Sequence, residues 1–192
     1  MKAKKLIVLG VVGSPRRNGN THILVSRVLD GAGEAGARTD LVFLGDLTIG
    51  ECDGCHACWR GKSCSKRDDM NDLYTRIGKS DAIVFGTPVY WYGPTALMKA
   101  FLDRFVYFNC PEYHEKIRGK SAILAVPFED NDPETAAPLV EMFEKSFKYL
   151  ELHLAGTLLA PGVGEKGDIL RKAEVLERAF ELGKKVAVWR QI

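Results

Sequence analysis

The sequence predicts a doubly wound α/β fold, a five-stranded parallel sheet with helices on both faces. Two observations carry this. Five apolar runs lack the in–out alternation of a half-exposed strand, as strands covered on both faces do. The stretches between them space their apolar residues at helical intervals. Strand and helix in alternation, joined by right-handed crossovers, leave a parallel sheet. The chain has 192 residues, 46% apolar and 27% charged, which excludes a disordered chain, a collagen-like fibre and a disulfide-stapled mini-protein. A domain of this size buries roughly 70% of its unfolded surface without a staple. We expect one domain over residues 1–192, with a cysteine-rich loop at residues 52–64.

Residues 5–13 (KLIVLGVVG) form the first strand. Lysines ahead of an apolar run resemble a secretion signal, but Gly10-Val11-Val12-Gly13 leads into Ser14-Pro15-Arg16-Arg17 and not into a small-residue cleavage site. The run therefore reads as a buried strand of a soluble, cytoplasmic protein. Leu24, Val25, Val28, Leu29 and Ala32 mark the first helix, and residues 37–44 the second strand. A short helix over residues 71–79 precedes a third strand at residues 81–87. Leu97, Met98, Phe101, Leu102 and Phe105 mark the next helix, and residues 121–127 the fourth strand. Leu139, Val140, Phe143, Phe147 and Leu150 give another helix, residues 153–160 the fifth strand, and Ile169, Ala173, Leu176, Phe180 and Ala187 the last helix. Phe105-Val106-Tyr107-Phe108 crowds bulky residues at a helix end where one face cannot bury them all, so Tyr107 is expected at a subunit interface.

No apolar run approaches the roughly 18 residues that span a bilayer. A net charge of +2, without a run of like charges, gives no electrostatic basis for binding nucleic acid or an anionic membrane.

Ligands of such folds bind at the carboxyl ends of the strands, where strand order reverses. Three loops qualify: residues 14–21, 88–94 and 128–133. In the first, Ser14-Pro15-Arg16-Arg17-Asn18-Gly19-Asn20-Thr21 runs into a helix, whose free N–H groups and dipole attract a phosphate, with the Ser14 and Thr21 hydroxyls and the Arg16 cation in support. The loop lacks the glycine pattern of a dinucleotide site and the Gly-Lys-Ser/Thr ending of a triphosphate site, so a mononucleotide fits best. An ordinary Asn-Gly-Asn surface turn is the competing reading; position after a buried strand favours the phosphate. The second loop, Thr87-Pro88-Val89-Tyr90-Trp91-Tyr92-Gly93-Pro94, carries three consecutive aromatics, with Gly93 as a pliable lead into the helix and Pro94 in its first turn. The aromatics line a flat heteroaromatic ligand or pack under a partner subunit, and at least one is expected in the core. A phosphate cradle after the first strand and an aromatic platform after the third have the spacing a flavin mononucleotide demands.

Four of the five cysteines fall in Cys52-x2-Cys55-x2-Cys58-x5-Cys64. Two-residue gaps disfavour disulfides but let thiolates converge on one inorganic core, and the longer last gap lets the loop return to close a fourth position. Gly54 and Gly61 permit tight turns. Structural zinc sites usually present two separated cysteine pairs, so the pattern favours a [4Fe–4S] cluster, with zinc and free thiols as alternatives. Arg60, Lys62, Lys66 and Arg67 against the single Asp53 offset the charge of four thiolates or keep a loop soluble. His56 has no required ligand role, and Cys110 reads as a small buried apolar residue.

Ser14-Pro15-Arg16 with Gly19-Asn20-Thr21, and Pro88-Val89-Tyr90 with Gly93-Pro94 and Leu97-Met98-Lys99-Ala100-Phe101-Leu102-Asp103-Arg104, resemble the flavodoxin-like NADPH-dependent FMN reductases over most of the chain. The resemblance implies flavodoxin-like topology, with FMN held by Ser14, Arg16, Asn18, Asn20 and Thr21 at the phosphate and by Pro88, Val89, Tyr90, Trp91, Tyr92 and Gly93 along the ring. The third loop, Phe128-Glu129-Asp130-Asn131-Asp132-Pro133, departs from that family in having no glycine, which puts its contact with the flavin in question.

The cysteine spacing resembles the iron–sulfur flavoproteins of anaerobic microbes. That resemblance implies one [4Fe–4S] cluster on Cys52, Cys55, Cys58 and Cys64, electron exchange between cluster and FMN, and assembly as homodimers or homotetramers. The first functional reading is an electron-transfer flavoenzyme that needs no protein acid, base or nucleophile. Its donor would be a reduced ferredoxin or another small carrier, steered by Lys62, Lys66 and Arg67. The alternatives are an NADPH- or NADH-dependent FMN or quinone reductase without a cluster, and a non-catalytic redox carrier or thiol sensor.

Overall fold

The computed structural model describes residues 5–188; residues 1–4 and 189–192, the two ends of the expected domain and part of the signal-like start, lie outside the described residues. Five strands, β1 (Ile7–Val12), β2 (Arg38–Phe43), β3 (Ala82–Gly86), β4 (Ser121–Pro127) and β5 (His153–Ala160), pair in parallel in the order β2-β1-β3-β4-β5. Helices α1 (Asn20–Glu34), α2 (Met70–Lys79), α3 (Ala96–Asp103) and α4 (Ala137–Tyr149) supply the four crossovers, and α5 (Ala173–Val188) follows the last strand. This is the flavodoxin-like order, and its switch point lies between β1 and β3, where Val12 pairs with Gly86 at the carboxyl ends.

The period-two alternation of each central strand feeds two cores. Leu9, Val11, Phe85 and Leu124 face one side and pack with Met98, Phe101, Phe143 and Phe147; Val8, Val12, Val84 and Ile123 face the other, with Leu24, Val25, Val28 and Ala179. On the second side, helices α1 and α5 touch backbone to backbone. A Cβ on Gly31 would fall 1.9 Å from the Phe180 oxygen, so only glycine permits this approach.

Several expectations shift. The second strand is an edge, not a strand buried on both faces: Arg38, Thr39 and Leu41 are exposed, because only β1 flanks it. The last helix begins at Ala173, and Ile169 sits in a separate 3-10 turn, Asp168–Arg171, that follows a left-handed Gly167 (φ 91°). Helix α3 ends at Asp103 and tightens into the 3-10 segment Arg104–Tyr107, which carries Phe105. Pro94 stands outside that helix, ahead of the Thr95 cap. Tyr107 is half-buried, its ring 4.0 Å from those of both Tyr74 and Tyr113; its expected place at a subunit interface is not tested by a single chain. Among the described residues no helix is long and apolar enough to cross a membrane.

Candidate cofactor site

The carboxyl ends of β1, β3, β4 and β5 enclose an open cleft with about 120 Å³ of free interior space. One wall is the first loop: Ser14, Arg16, Gly19, Asn20 and Thr21 line it, with Ser14 and Thr21 nearly fully buried. Helix α1 begins there uncapped. Gly19 at its N-cap has no side chain, no other side chain among the described residues caps it, and its first turn holds no acidic residue. The first-turn N–H groups therefore lack the usual partner, and with Arg16 and Lys166 beside them the wall suits an anion. Pro88, Val89, Tyr90 and Phe128 supply an apolar second wall suited to a planar body.

Thr95 fixes these two walls together. Its hydroxyl donates to the Gly13 carbonyl and accepts from Met98 N–H (3.2 Å), while its own N–H donates to Thr87 Oγ1 (3.2 Å). Asn20 fastens the loop after β5. Its Nδ2 donates to the Val163 and Glu165 carbonyls (3.1 and 2.9 Å), and its Oδ1 accepts from Gly167 and Ile169 N–H (3.0 and 3.2 Å). The Asn20 carboxamide is thus committed to residues 163–169, and what it offers the cleft is its backbone. Arg16 Nη1 also reaches this loop, at the Gly164 carbonyl (3.0 Å). Asn18 does not line the cleft; it takes a left-handed conformation (φ 52°) and donates its N–H to His22 Nδ1 (3.2 Å).

The aromatic loop closes on itself. Tyr90 and Gly93 exchange both backbone hydrogen bonds (2.8 and 3.0 Å), and Trp91 and Tyr92 between them have φ of 50° and 62°, the pattern of a type I′ turn. None of the three aromatics enters the core, contrary to expectation: Trp91 is 96% exposed and Tyr92 60%. A two-residue turn points its central side chains outward. Tyr90 lines the cleft, and Trp91 and Tyr92 edge an adjoining recess with Phe128. Left-handed backbone costs about 1–2 kcal/mol at each such residue. The double variant Trp91→Asn/Tyr92→Gly is expected to gain about 1–3 kcal/mol in urea unfolding; a lower midpoint contradicts this account of the turn.

The segment between β2 and α2 carries the cysteines. Cys52, Cys55, Cys58 and Cys64 are all free thiols and line one narrow cavity with about 30 Å³ of free interior space, together with His56, Tyr74 and Arg104. Gly54 and Gly61 take the left-handed conformations the wrapping needs (φ 68° and 71°). Among the described residues, no three His, Cys, Asp or Glu side chains are placed to hold a single metal ion. The four cysteines line a shared space, and four thiols at this sequence spacing are the donor type that iron–sulfur ligation uses. Cys110 is buried and donates to the Val106 carbonyl (3.3 Å); burial, with Cys58 beside it, pushes its thiol up to about 12.

Arg104 organises this region. Its side chain is 1% exposed. Nη1 donates to Asp68 Oδ2 (2.6 Å) and the Gly50 carbonyl (2.9 Å), Nη2 to Asp68 Oδ1 (3.2 Å) and Cys64 Sγ (3.3 Å), and Nε to the Tyr74 hydroxyl (3.2 Å). Asp68 also accepts from Gly50 and Met70 N–H (3.0 and 3.2 Å). Burial pushes the Asp68 carboxyl up, but the Arg104 bond, the Gly50 N–H and the guanidinium charge outweigh it and hold it below 3.8. A depressed carboxyl contributes stability that is whole above its unfolded value and is lost as pH falls through its folded value. Acid unfolding of the native protein should therefore steepen below about pH 4, and Asp68→Asn should flatten that limb; identical acid curves contradict this.

Comparison with known proteins decides the family. Residues 6–131 match the family described as NADPH-dependent FMN reductase. The chain belongs to this family. It is 32% identical over 181 residues to an iron–sulfur flavoprotein of Archaeoglobus fulgidus, covering 93% of this chain and 78% of the relative. It is 31% identical over 189 residues to an iron–sulfur flavoprotein of Methanocaldococcus jannaschii, covering 94% and 95%. Among solved structures, the Trp repressor binding protein of Bacillus subtilis superposes with a TM-score of 0.70 at 26% identity, covering 92% of this chain and 98% of that one.

As a member of the FMN reductases, the protein is an FMN-dependent oxidoreductase, an enzyme and not the non-catalytic carrier or sensor kept as an alternative. Phe128 and Glu129, in the third loop expected by position, line the cleft although that loop has no glycine. Sequence reasoning missed two parts of these sites. Val163, Gly164 and Lys166 line the cleft, and the glycine spacing of Gly162-Val163-Gly164-Glu165-Lys166-Gly167 after a strand was the available signal. Arg104 lay within the quoted family motif but received no role.

Proposed function

We propose that this FMN reductase family member is a cytoplasmic iron–sulfur flavoprotein, passing electrons between FMN in the cleft and a [4Fe–4S] cluster on Cys52, Cys55, Cys58 and Cys64. The observation that carries the proposal is the single cavity shared by all four thiols, with a buried guanidinium donating to one of them. Thiolates bring negative charge, and Arg104 sits where it offsets that charge at Cys64. When bound, the flavin exchanges one or two electrons and so joins a one-electron centre to a two-electron partner. The residues of the cleft hold and orient it. The α1 N-terminus, Ser14, Thr21, Arg16 and Lys166 take the phosphate, and Pro88, Val89 and Tyr90 lie along the ring. A small electron carrier such as ferredoxin is the proposed donor, and the exposed Trp91 and Tyr92 supply apolar surface for a homodimer or homotetramer.

The competing reading is an NADPH- or NADH-dependent FMN or quinone reductase whose cysteines hold no cluster. It draws on the absence, among the described residues, of three ligating side chains placed around one ion. An anaerobic reductive titration separates the two. The native protein should take up about three electrons per chain and the Cys52→Ser/Cys55→Ser/Cys58→Ser/Cys64→Ser variant about two, with its FMN retained. Equal uptake by both proteins, with NADPH bleaching the variant as fast as the native protein, supports the competing reading and overturns ours.

A further inference from the structure

Next to the cysteine cavity lies a second, wider groove of about 540 Å³. Cys64, Tyr74 and Tyr107 line both, so this is a side of the cysteine site open to a large partner. The flavin cleft shares no lining residue with the groove. Three cations come to it from separate parts of the chain: Arg67 from the cysteine segment, Lys79 from the end of α2, and Lys116 from the 3-10 turn His114–Lys116. No carboxylate lines it. All three cations are exposed, and none pairs with a carboxylate among the described residues; Lys116 Nζ lies 4.8 Å from the centre of the Tyr113 ring. Neighbouring bases are already engaged, Lys66 with Asp53 (3.4 Å) and Arg76 with Asp40 (2.7 Å). Of the three bases first expected to steer a donor, only Arg67 lines the groove.

We propose that this groove docks an acidic, one-electron carrier protein and that charge passes between carrier and protein at the Cys64 edge of the cysteine site. The proposal rests on the cluster reading above. Unpaired cations on a surface free of carboxylates steer and orient an acidic partner. The stacked rings of Tyr74 and Tyr107 (4.0 Å between centroids) give it a rigid wall, and Tyr113 backs Tyr107 at the same distance. In the step itself, one electron leaves the reduced carrier, which is oxidised, and arrives at the centre held by the cysteines, which is reduced; no bond or proton moves.

The test uses a reduced two-cluster bacterial ferredoxin of acidic surface as probe, followed by stopped-flow absorbance at low ionic strength. The Arg67→Gln/Lys79→Gln/Lys116→Gln variant should show a second-order rate constant at least about tenfold lower, with a shallower salt dependence. Its reduction by dithionite, and its iron and FMN contents, should match the native protein. A control with the same charge change elsewhere, Lys145→Gln/Arg171→Gln/Lys184→Gln, should keep the native rate. An unchanged rate in the groove variant, or equal slowing in the control, overturns the proposal. Calorimetric titration with oxidised ferredoxin reads docking separately from electron transfer. If the native protein proves free of iron, the cluster reading falls, while a Kd at least about tenfold weaker in the groove variant still supports the groove and an equal Kd overturns it.

Discussion

Gly19→Asp is expected to abolish FMN retention while leaving the fold intact. Gly19 is the N-cap of α1, and among the described residues no side chain caps that helix and none in its first turn is acidic. An aspartate there does for the helix what a bound phosphate would do, accepting from first-turn N–H groups and complementing the dipole. Its Cβ would meet the Arg16 carbonyl at 3.0 Å and the Arg16 Cβ at 3.1 Å, both in an exposed loop that can give by a few tenths of an ångström. Unfolding stability should therefore stay within about 1 kcal/mol of native. The cost falls on the ligand. A carboxylate facing a phosphate costs several kcal/mol, so FMN should bind at least about 100-fold more weakly. Fluorescence titration of apoprotein with FMN checks this, with riboflavin as control because it lacks the phosphate and should lose far less. Equal weakening of both ligands contradicts a phosphate site at α1.

Arg104→Met is expected to be the most destabilising single change in the cysteine region. The methionine roughly fills the space but leaves the Asp68 carboxylate, 11% exposed, without its cation. Removing one partner of a buried pair typically costs about 3–5 kcal/mol. The loss also frees the Gly50 carbonyl, the Tyr74 hydroxyl and Cys64 Sγ, the ties that hold the cysteine segment on the sheet layer. Adding Asp68→Asn should recover part of the loss, because the stranded charge is then gone. Denaturant unfolding of the native protein, both single variants and the double variant gives the coupling directly. Additive single effects would mean that the pair does not act as a unit.

The sheet was legible because its three interior strands, β1, β3 and β4, are buried, and such strands announce themselves as continuous apolar runs, as the β5 edge also does. The β2 edge was less so: residues 37–44 contain Arg38, Thr39 and Asp40, whose polarity is that of an exposed flank. That the first loop would wall the cleft was legible from position, since it joins the carboxyl end of a buried strand to a helix. The partner of Asn20 was not, because nothing local to Asn20 shows that its amide will bridge to residues 163–169. The type I′ turn defeats sequence reasoning for a different reason. Such turns favour Asn-Gly, and Trp91-Tyr92 is a poor choice for two left-handed positions. Local rules broken in this way tend to mark functional sites. Arg104 was invisible because an arginine at a helix end ordinarily reads as solvated, and only its long-range partners, Asp68 and Cys64, reveal it as buried.

The central claim is that one chain carries both a flavin and an inorganic sulfur centre. Protein purified without oxygen should contain about one FMN, four iron and four acid-labile sulfide per chain, with broad absorption near 400 nm beneath the flavin bands. FMN without iron or sulfide would contradict the cluster, and colourless protein that takes up no added FMN would contradict the account as a whole.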